Sequence, residues 1–182
     1  MTSGPRLAPK PSREWDDETR ALIGDNPLNI FATLAHHPKL MKRWMVFGAH
    51  VLAKNTLSAR DRELLILRTG WNCRSPYEWG QHVAIGRNSD LDDAEIARIA
   101  DGPDAPGWSA ADALLLRAAD ELHADQELSD DTWAALAAHY DEQQLLDLVF
   151  TVGQYHLVSM VLNTARVERD DGVTGVPIPE RE

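Results

Sequence analysis

Glu78 and His82 are the residues of this sequence whose types and spacing most clearly indicate chemistry. They are four positions apart, so they share one face if the segment is helical. A carboxylate in that position can fix the tautomer of the imidazole and raise its pKa into the range of a general acid or base. We therefore predict that His82 is the general acid–base of an enzyme, although a lone histidine on such a helix is more often a hydrogen-bonded structural residue.

Both carboxylates of the proposed unit, Glu78 and Glu63, also allow a structural interpretation. The segment Ser75-x-x-Glu78 fits a capping box, in which the Glu78 side chain accepts a hydrogen bond from the backbone N–H of Ser75. Glu63 precedes an apolar stretch, where burial of an acidic side chain requires a partner or a proton. It also ends a charged run, so it could be an exposed carboxylate that complements the helix dipole.

Further candidates lie in apolar surroundings. Tyr155 and His156 are near the middle of an apolar C-terminal helix, where polar side chains must find partners, and we expect them to line a pocket or to pack between helices. Trp79 is expected to be a core or pocket-wall aromatic. A metal site at the acid–base residues is not expected, because the Glu-x-x-His spacing of di-iron bundles is absent. We also expect no cofactor.

Capping residues and apolar spacing predict helices along most of the chain and no strand. The predicted helices begin at or directly after Pro38, Ser58, Ser75, Asp92, Ser109, Ser129 and Glu142, and the last of them runs to 166. The sequence thus predicts an all-α bundle of roughly seven or eight helices. These form one domain over 15–169, with extended arms over 1–14 and 170–182.

Composition limits the kinds of partner. The formal net charge of −11 argues against nucleic acid or an anionic membrane, because binding to phosphates requires clustered Lys and Arg. We find no apolar run long enough for a bilayer span and no signal peptide, so we expect a cytoplasmic protein. Cys73 is the only cysteine, and we therefore expect no intrachain disulfide, no Cys–Cys redox couple and no thiolate zinc site.

The spacing of the acid–base residues resembles a signature of the alkylhydroperoxidase D (AhpD) and carboxymuconolactone decarboxylase superfamily. That signature, Glu-x11-Cys-x2-Cys-x3-His, reads here as Glu63-x11-Ser75-x2-Glu78-x3-His82. Together with Asn26-Pro27-Leu28 and the runs 58–64 and 77–82, it resembles the carboxymuconolactone decarboxylase-like branch. The resemblance implies an AhpD-like all-α bundle that assembles as a dimer, trimer or hexamer, with its pocket near a subunit contact.

The resemblance also implies roles for individual residues. In alkylhydroperoxidase members a glutamate and a histidine relay protons to the cysteine pair, and these roles fall on Glu63 and His82. Because Ser75 and Glu78 occupy both cysteine positions, the dithiol peroxidase reaction is not expected. Decarboxylase members also lack the dithiol. A lyase of that type would protonate an enolate-like intermediate with His82, while backbone amides near Ser75 hold the oxyanion.

We therefore expect a cofactor-free enzyme that transfers protons on a small organic acid or lactone, with or without decarboxylation. Two alternatives stay open. One is a peroxidase that uses Cys73 with an external thiol, and the other is a helical oligomer that binds a small ligand and catalyses nothing.

Overall fold

The computed structural model describes residues 4–25 and 27–170. Within these ranges the chain forms nine α-helices and no strand, preceded by a 3-10 turn at Ser12–Glu14. The predicted all-α class is confirmed, while α1 and α2 have no counterpart among the predicted helices. The helices are α1 (Asp17–Ile23), α2 (Asn29–Leu34), α3 (Pro38–Ala53), α4 (Ala59–Asn72), α5 (Pro76–Arg87), α6 (Asp93–Ile99), α7 (Ala110–Ala124), α8 (Asp130–Ala137) and α9 (Glu142–Ala165).

Helix α4 is the centre of the bundle and packs against α5, α7 and α9. Its apolar run, residues 64–67, is fully buried, as the nearly all-round apolar surface of the sequence predicts. Ser58 caps the helix, since its hydroxyl accepts a hydrogen bond from the backbone N–H of Asp61 at 3.0 Å. Because neighbours enclose α4 on several sides, Glu63 in its second turn lies in the protein interior and is fully buried.

A tight turn joins α4 to α5. The backbone N–H of Ser75 donates to the carbonyl of Gly70 at 2.9 Å, and Arg74 adopts a left-handed backbone conformation with φ 48°. The turn reverses the chain, so that α5 packs back along α4. Glu63 lies about two and a half helical turns before the end of α4, and His82 lies nearly two turns after the start of α5. The connection thereby brings the two side chains to the same level of the helix pair.

The N-terminal segment lies on its own chain. The backbone N–H groups of Arg6 and Leu7 donate to the carbonyl of Ala165, and that of Lys10 donates to the carbonyl of Ala32. Of the predicted arms over 1–14 and 170–182, residues 1–3 and 171–182 lie outside the described residues. Asp170 is described, and its carboxylate accepts a hydrogen bond from the N–H of Asn29 at the start of α2.

Helix α9 corrects one sequence expectation. By length and composition it is apolar enough to cross a membrane, whereas no such run was expected from the sequence. Half of its most apolar 18-residue window is buried inside the bundle, where Leu148, Val152 and Leu162 belong to core clusters. Packing within the bundle accounts for the apolar character of these buried residues.

Candidate active site

His82 on α5 lies between two carboxylates. Its Nδ1 is 2.7 Å from Oε2 of Glu63, and its Nε2 is 3.1 Å from Oε1 of Glu78. Both ring nitrogens can donate only when the imidazole is doubly protonated. The geometry therefore indicates an imidazolium held at both ends, and it brings together the three residues that the sequence singled out.

Arg62 is the fourth charged residue of the cluster and contacts Glu63. Its Nε donates to Oε1 of Glu63 at 3.1 Å, so the Glu63 carboxylate is held by a guanidinium on one oxygen and by His82 on the other. With all four groups ionised, the positive charges of Arg62 and His82 balance the negative charges of Glu63 and Glu78. Such pairing is what allows charged side chains to be buried.

The two carboxylates shift the protonation of the histidine. Burial disfavours the charged imidazolium, but the charges and hydrogen bonds of Glu63 and Glu78 outweigh this cost and raise the pKa of His82 to about 9. His82 is consequently protonated at neutral pH. It is available as a general acid, and its conjugate base is strong enough to abstract a proton from an activated carbon.

The proposed capping box at the start of α5 is absent. Ser75 occupies the N-cap position, but its side chain forms no cap hydrogen bond, and the Glu78 carboxylate pairs with His82 instead. The cap-only interpretation of Glu78 is therefore wrong. The reason is that a charge-assisted contact to a buried imidazolium is stronger than a hydrogen bond to a backbone amide.

An apolar cavity of about 270 Å³ opens beside this unit. Glu78 and His82 form part of its wall, whereas Glu63 lies behind them and does not line it. Tyr155 packs its ring edge-on against His82, with the ring centroids 4.8 Å apart, and it also lines the cavity. The remaining wall comes from α2, α3, α5 and α9 and from the residue before α2: Leu28, Ile30, Phe31, Trp44, Met45, Gly48, Ala49, Leu52, Tyr77, Gln81, Ile85, Gln154 and Val158.

The charge of the cavity wall restricts its ligands. No Lys or Arg is among the described lining residues, so His82 supplies the positive charge there. Arg62 pairs with Glu63, and Arg68 pairs with Asp120 on α7. A dianionic substrate would therefore meet one cation and the Glu78 carboxylate, whereas a neutral molecule or a monoanion fits the wall better.

Three residues expected at the pocket lie elsewhere. Ser75 is fully buried outside the cavity wall, and Trp79 is a core residue whose ring stacks at a tilt on Trp71, with the centroids 5.1 Å apart. His156 faces away from the cavity, because consecutive residues of a helix point in different directions and Tyr155 faces inward. Its Nε2 lies 2.8 Å from Nδ1 of His123, and burial together with that neighbouring ring lowers the pKa of His156.

Several cavity residues were not predicted from the sequence. Tyr77 and Gln81 both bond to the carboxylate of Asp170, and the Tyr77 hydroxyl also accepts a hydrogen bond from the N–H of Ile30. The one available signal was the helical spacing of Tyr77, Gln81 and Ile85, which places all three on one face of α5. The α3 residues that line the cavity have no comparable signal in the sequence, because they are apolar.

Residues 38–121 match the model of the carboxymuconolactone decarboxylase family. The matched region contains Glu63, Glu78 and His82 and ends before α9. This match covers the part of the chain that carries the acid–base residues. The sequence match and the AhpD-like fold together support the carboxymuconolactone decarboxylase and AhpD-like superfamily.

Solved structures agree on the fold. An uncharacterized peroxidase-related protein with an AhpD core from Ralstonia eutropha JMP134 has a TM-score of 0.82 and 19% identity, covering 94% of this chain and 95% of its own. A peroxidase-related protein from Silicibacter sp. TM1040 has a TM-score of 0.80 and 15% identity, over 93% and 95% of the two chains. The debrominase Bmp8 in complex with 2,3,4-tribromopyrrole has a TM-score of 0.64 and 11% identity, over 84% and 82%. The sequence itself matches no functionally curated protein.

The raised pKa of His82 predicts how stability depends on pH. The folded state holds the His82 proton up to about pH 9, whereas the unfolded chain releases it near the ordinary value of 6.5. The free energy of unfolding should therefore fall between pH 6.5 and 9, by roughly 3 kcal/mol at most. Chemical denaturation at a series of pH values measures this slope.

The slope should disappear in His82→Gln and persist in His139→Gln, which changes an exposed histidine. An identical pH dependence in wild type and His82→Gln would show that the imidazole does not hold its proton in the folded state.

Proposed function

We propose that this protein is a member of the carboxymuconolactone decarboxylase and AhpD-like superfamily and acts as a cofactor-free cytoplasmic enzyme. It transfers protons on a small lactone or organic acid, and loss of CO2 is one form the reaction can take. The observation that supports the proposal is the His82 imidazolium, held between two buried carboxylates and forming part of an apolar cavity wall. A water-poor site of this kind strengthens electrostatic stabilisation of a developing charge.

The three acid–base residues take different roles in this proposal. His82 is the general acid–base, and Glu78, which shares the cavity wall with it, is a second group through which a proton can pass. Glu63 does not reach the cavity, so it acts as a positioning residue that orients the ring and stabilises its charge. Burial and the nearby Glu78 carboxylate raise the pKa of Tyr155, whose neutral phenol lines the substrate space.

The substrate class follows from the cavity wall. A neutral lactone or a monoanionic acid presents an apolar body to the hydrophobic residues and one oxygen to His82. A doubly carboxylated lactone needs an Arg or Lys for its second carboxylate, and the described cavity wall has neither. We therefore favour simple proton transfer over decarboxylation of such a dianion. The complex of the debrominase Bmp8 with 2,3,4-tribromopyrrole, a small and largely apolar ring, is in line with a ligand of this size.

The peroxidase alternative is supported by the peroxidase-related proteins that share the fold. It would depend on Cys73, which lies outside the cavity wall beside His123. Burial raises the pKa of the Cys73 thiol to about 11, so only a small fraction is thiolate at neutral pH. The position and protonation of this thiol therefore favour the acid–base proposal.

Proton transfer can be tested without knowing the natural substrate. We expect the wild-type protein to catalyse exchange of the acidic carbon-bound hydrogen of simple lactones and keto acids for solvent deuterium, followed by proton NMR in D2O. His82→Gln should lower the rate at least about a hundredfold, the usual contribution of a general acid–base. Because His82 carries its proton below pH 9, Glu78 takes the carbon-bound hydrogen and the imidazolium donates to the oxygen of the enolate that forms. The wild-type kcat/KM should therefore fall above pH 9, where the imidazolium loses its proton.

His139→Gln is the matched control, since this exposed histidine lies outside the cavity. Exchange that is equally fast in wild type and His82→Gln would contradict the proposal. Binding of the same probes without any exchange, unaffected by His82→Gln and Glu63→Gln, would instead identify a ligand-binding protein.

The proposal includes assembly of identical subunits. Exposed apolar side chains lie along the outer faces of α3 and α9, where the rings of Phe47 and Phe150 pack 5.9 Å apart and join the two helices into one surface. We call this surface the α3–α9 face; its exposed residues are Val46, Phe47, Leu146, Val149, Phe150, Leu157, Met160 and Val161. Patches of this kind are uncommon on monomers. The same helices line the cavity, so a subunit contact there would lie next to the site.

A charge on the α3–α9 face should dissociate the assembly. We expect light scattering to give the wild type a mass of two or more times 20.3 kDa, and Phe150→Asp the mass of one chain, 20.3 kDa. Trp133→Asp, which changes an exposed apolar residue on α8, should keep the wild-type mass. A wild-type protein that is monomeric at all accessible concentrations would contradict this part of the proposal.

A further inference from the structure

A second group of reactive side chains lies away from the cavity. Cys73 follows the last residue of α4, His123 is in the last turn of α7, and His156 is near the middle of α9. Nδ1 of His123 is 2.8 Å from Nε2 of His156 and 3.9 Å from Sγ of Cys73. All three potential ligand atoms lie within 4.8 Å of one another. None of the three residues lines the cavity.

These separations are close to those of a metal centre. A tetrahedral zinc ion, with Zn–N distances of about 2.0 Å and a Zn–S distance of about 2.3 Å, sets its nitrogen ligands about 3.3 Å apart and nitrogen and sulfur about 3.6 Å apart. The observed separations of 2.8 and 3.9 Å differ from these values by a few tenths of an ångström to half an ångström. The third pair, Sγ of Cys73 and Nε2 of His156, lies within 4.8 Å, against about 3.6 Å around zinc, so rotation of the Cys73 side chain towards the two rings would place all three atoms around one ion.

The chemistry of the ligand atoms selects the ion. One thiolate and two imidazoles favour borderline transition metals such as Zn²⁺ or Co²⁺, and they disfavour Mg²⁺ and Ca²⁺, which prefer oxygen ligands. The three residues are half-buried rather than sealed in the core, so an ion can reach them. Their positions on three packed helices hold them more firmly than loop positions would.

We propose that Cys73, His123 and His156 form a binding site for a divalent transition-metal cation of the zinc type, with three protein ligands and a fourth position open to water. The single cysteine led us to expect no thiolate zinc site, and this proposal departs from that expectation because two histidines supply the other protein ligands. A bound ion would link the ends of α4 and α7 to α9. It would also sit directly before the turn that leads to Ser75 and the start of α5.

Cobalt is the probe that tests this site. Full-length protein stripped with EDTA should bind one equivalent of Co²⁺ and show the near-ultraviolet absorption of a thiolate–cobalt bond, which Zn²⁺ then displaces. Cys73→Ser should abolish that absorption because the chain has one cysteine. His123→Gln and His156→Gln should each weaken Co²⁺ binding by more than about tenfold, the loss that even an outer-shell partner causes.

His37→Gln is the control, since His36 and His37 form an adjacent exposed histidine pair that could bind cobalt without a thiolate. The thiolate absorption should be unchanged in this variant. Absence of the absorption in the wild type, or an absorption unaffected by both His123→Gln and His156→Gln, would overturn the proposal.

A second measurement needs no variant. Zn²⁺ should slow the reaction of Cys73 with a disulfide reagent at least about tenfold, as expected for a sulfur engaged by a metal, and EDTA should restore the rate. An unchanged rate at saturating Zn²⁺ would also overturn the site.

Discussion

Burial of ionisable side chains at the centre of this bundle is possible because they neutralise one another. An isolated charged imidazole at the position of His82 would lose its hydration without compensation and would release its proton. The Glu63 and Glu78 carboxylates reverse that outcome, and Arg62 in turn holds Glu63. Removal of one member leaves an uncompensated charge among buried groups, so the four side chains act as a unit. Orientation, protonation and reactivity of the site all depend on this pairing.

The packing of the helices sets the distances between these charged side chains. α4 supplies Glu63 from the enclosed centre of the bundle, and the turn at Arg74 returns the chain so that α5 presents Glu78 and His82 to it. α3 and α9 then close an apolar space over the exposed side of the unit. A polar wall would hydrate the imidazolium and weaken its interaction with a substrate, whereas this wall keeps the charge effective. The AhpD-like fold provides the scaffold, and any reaction depends on the residues placed on it.

Local features were predictable from the sequence, and features that depend on distant contacts were not. Ser58, Ser109 and Ser129 were predicted as N-caps, and each accepts the expected backbone hydrogen bond, because a cap involves neighbours along the chain. The capping box at Ser75 failed, since Glu78 finds a stronger partner in His82.

Other features depend on tertiary contacts alone. Helix α2 lacks a side-chain cap of its own, and its first N–H groups bond to Asp170 and to the hydroxyl of Tyr77. The cluster of Cys73, His123 and His156 likewise joins three helices with no short spacing between its members. The acid–base residues were found because two of them share one helix face. The expectation that His156 lines the pocket was wrong, because the sequence does not show which side of α9 faces the cavity.

The protonation state of His82 is the property that tests this account most directly. Nitrogen-15 NMR of the imidazole side chains, with the His82 signals identified by their loss in His82→Gln, follows that state across pH. The account predicts that both His82 nitrogens remain protonated until about pH 9, and that Glu63→Gln brings the pKa down towards the ordinary range. A His82 ring that is already neutral at pH 7 in the wild-type protein would contradict it.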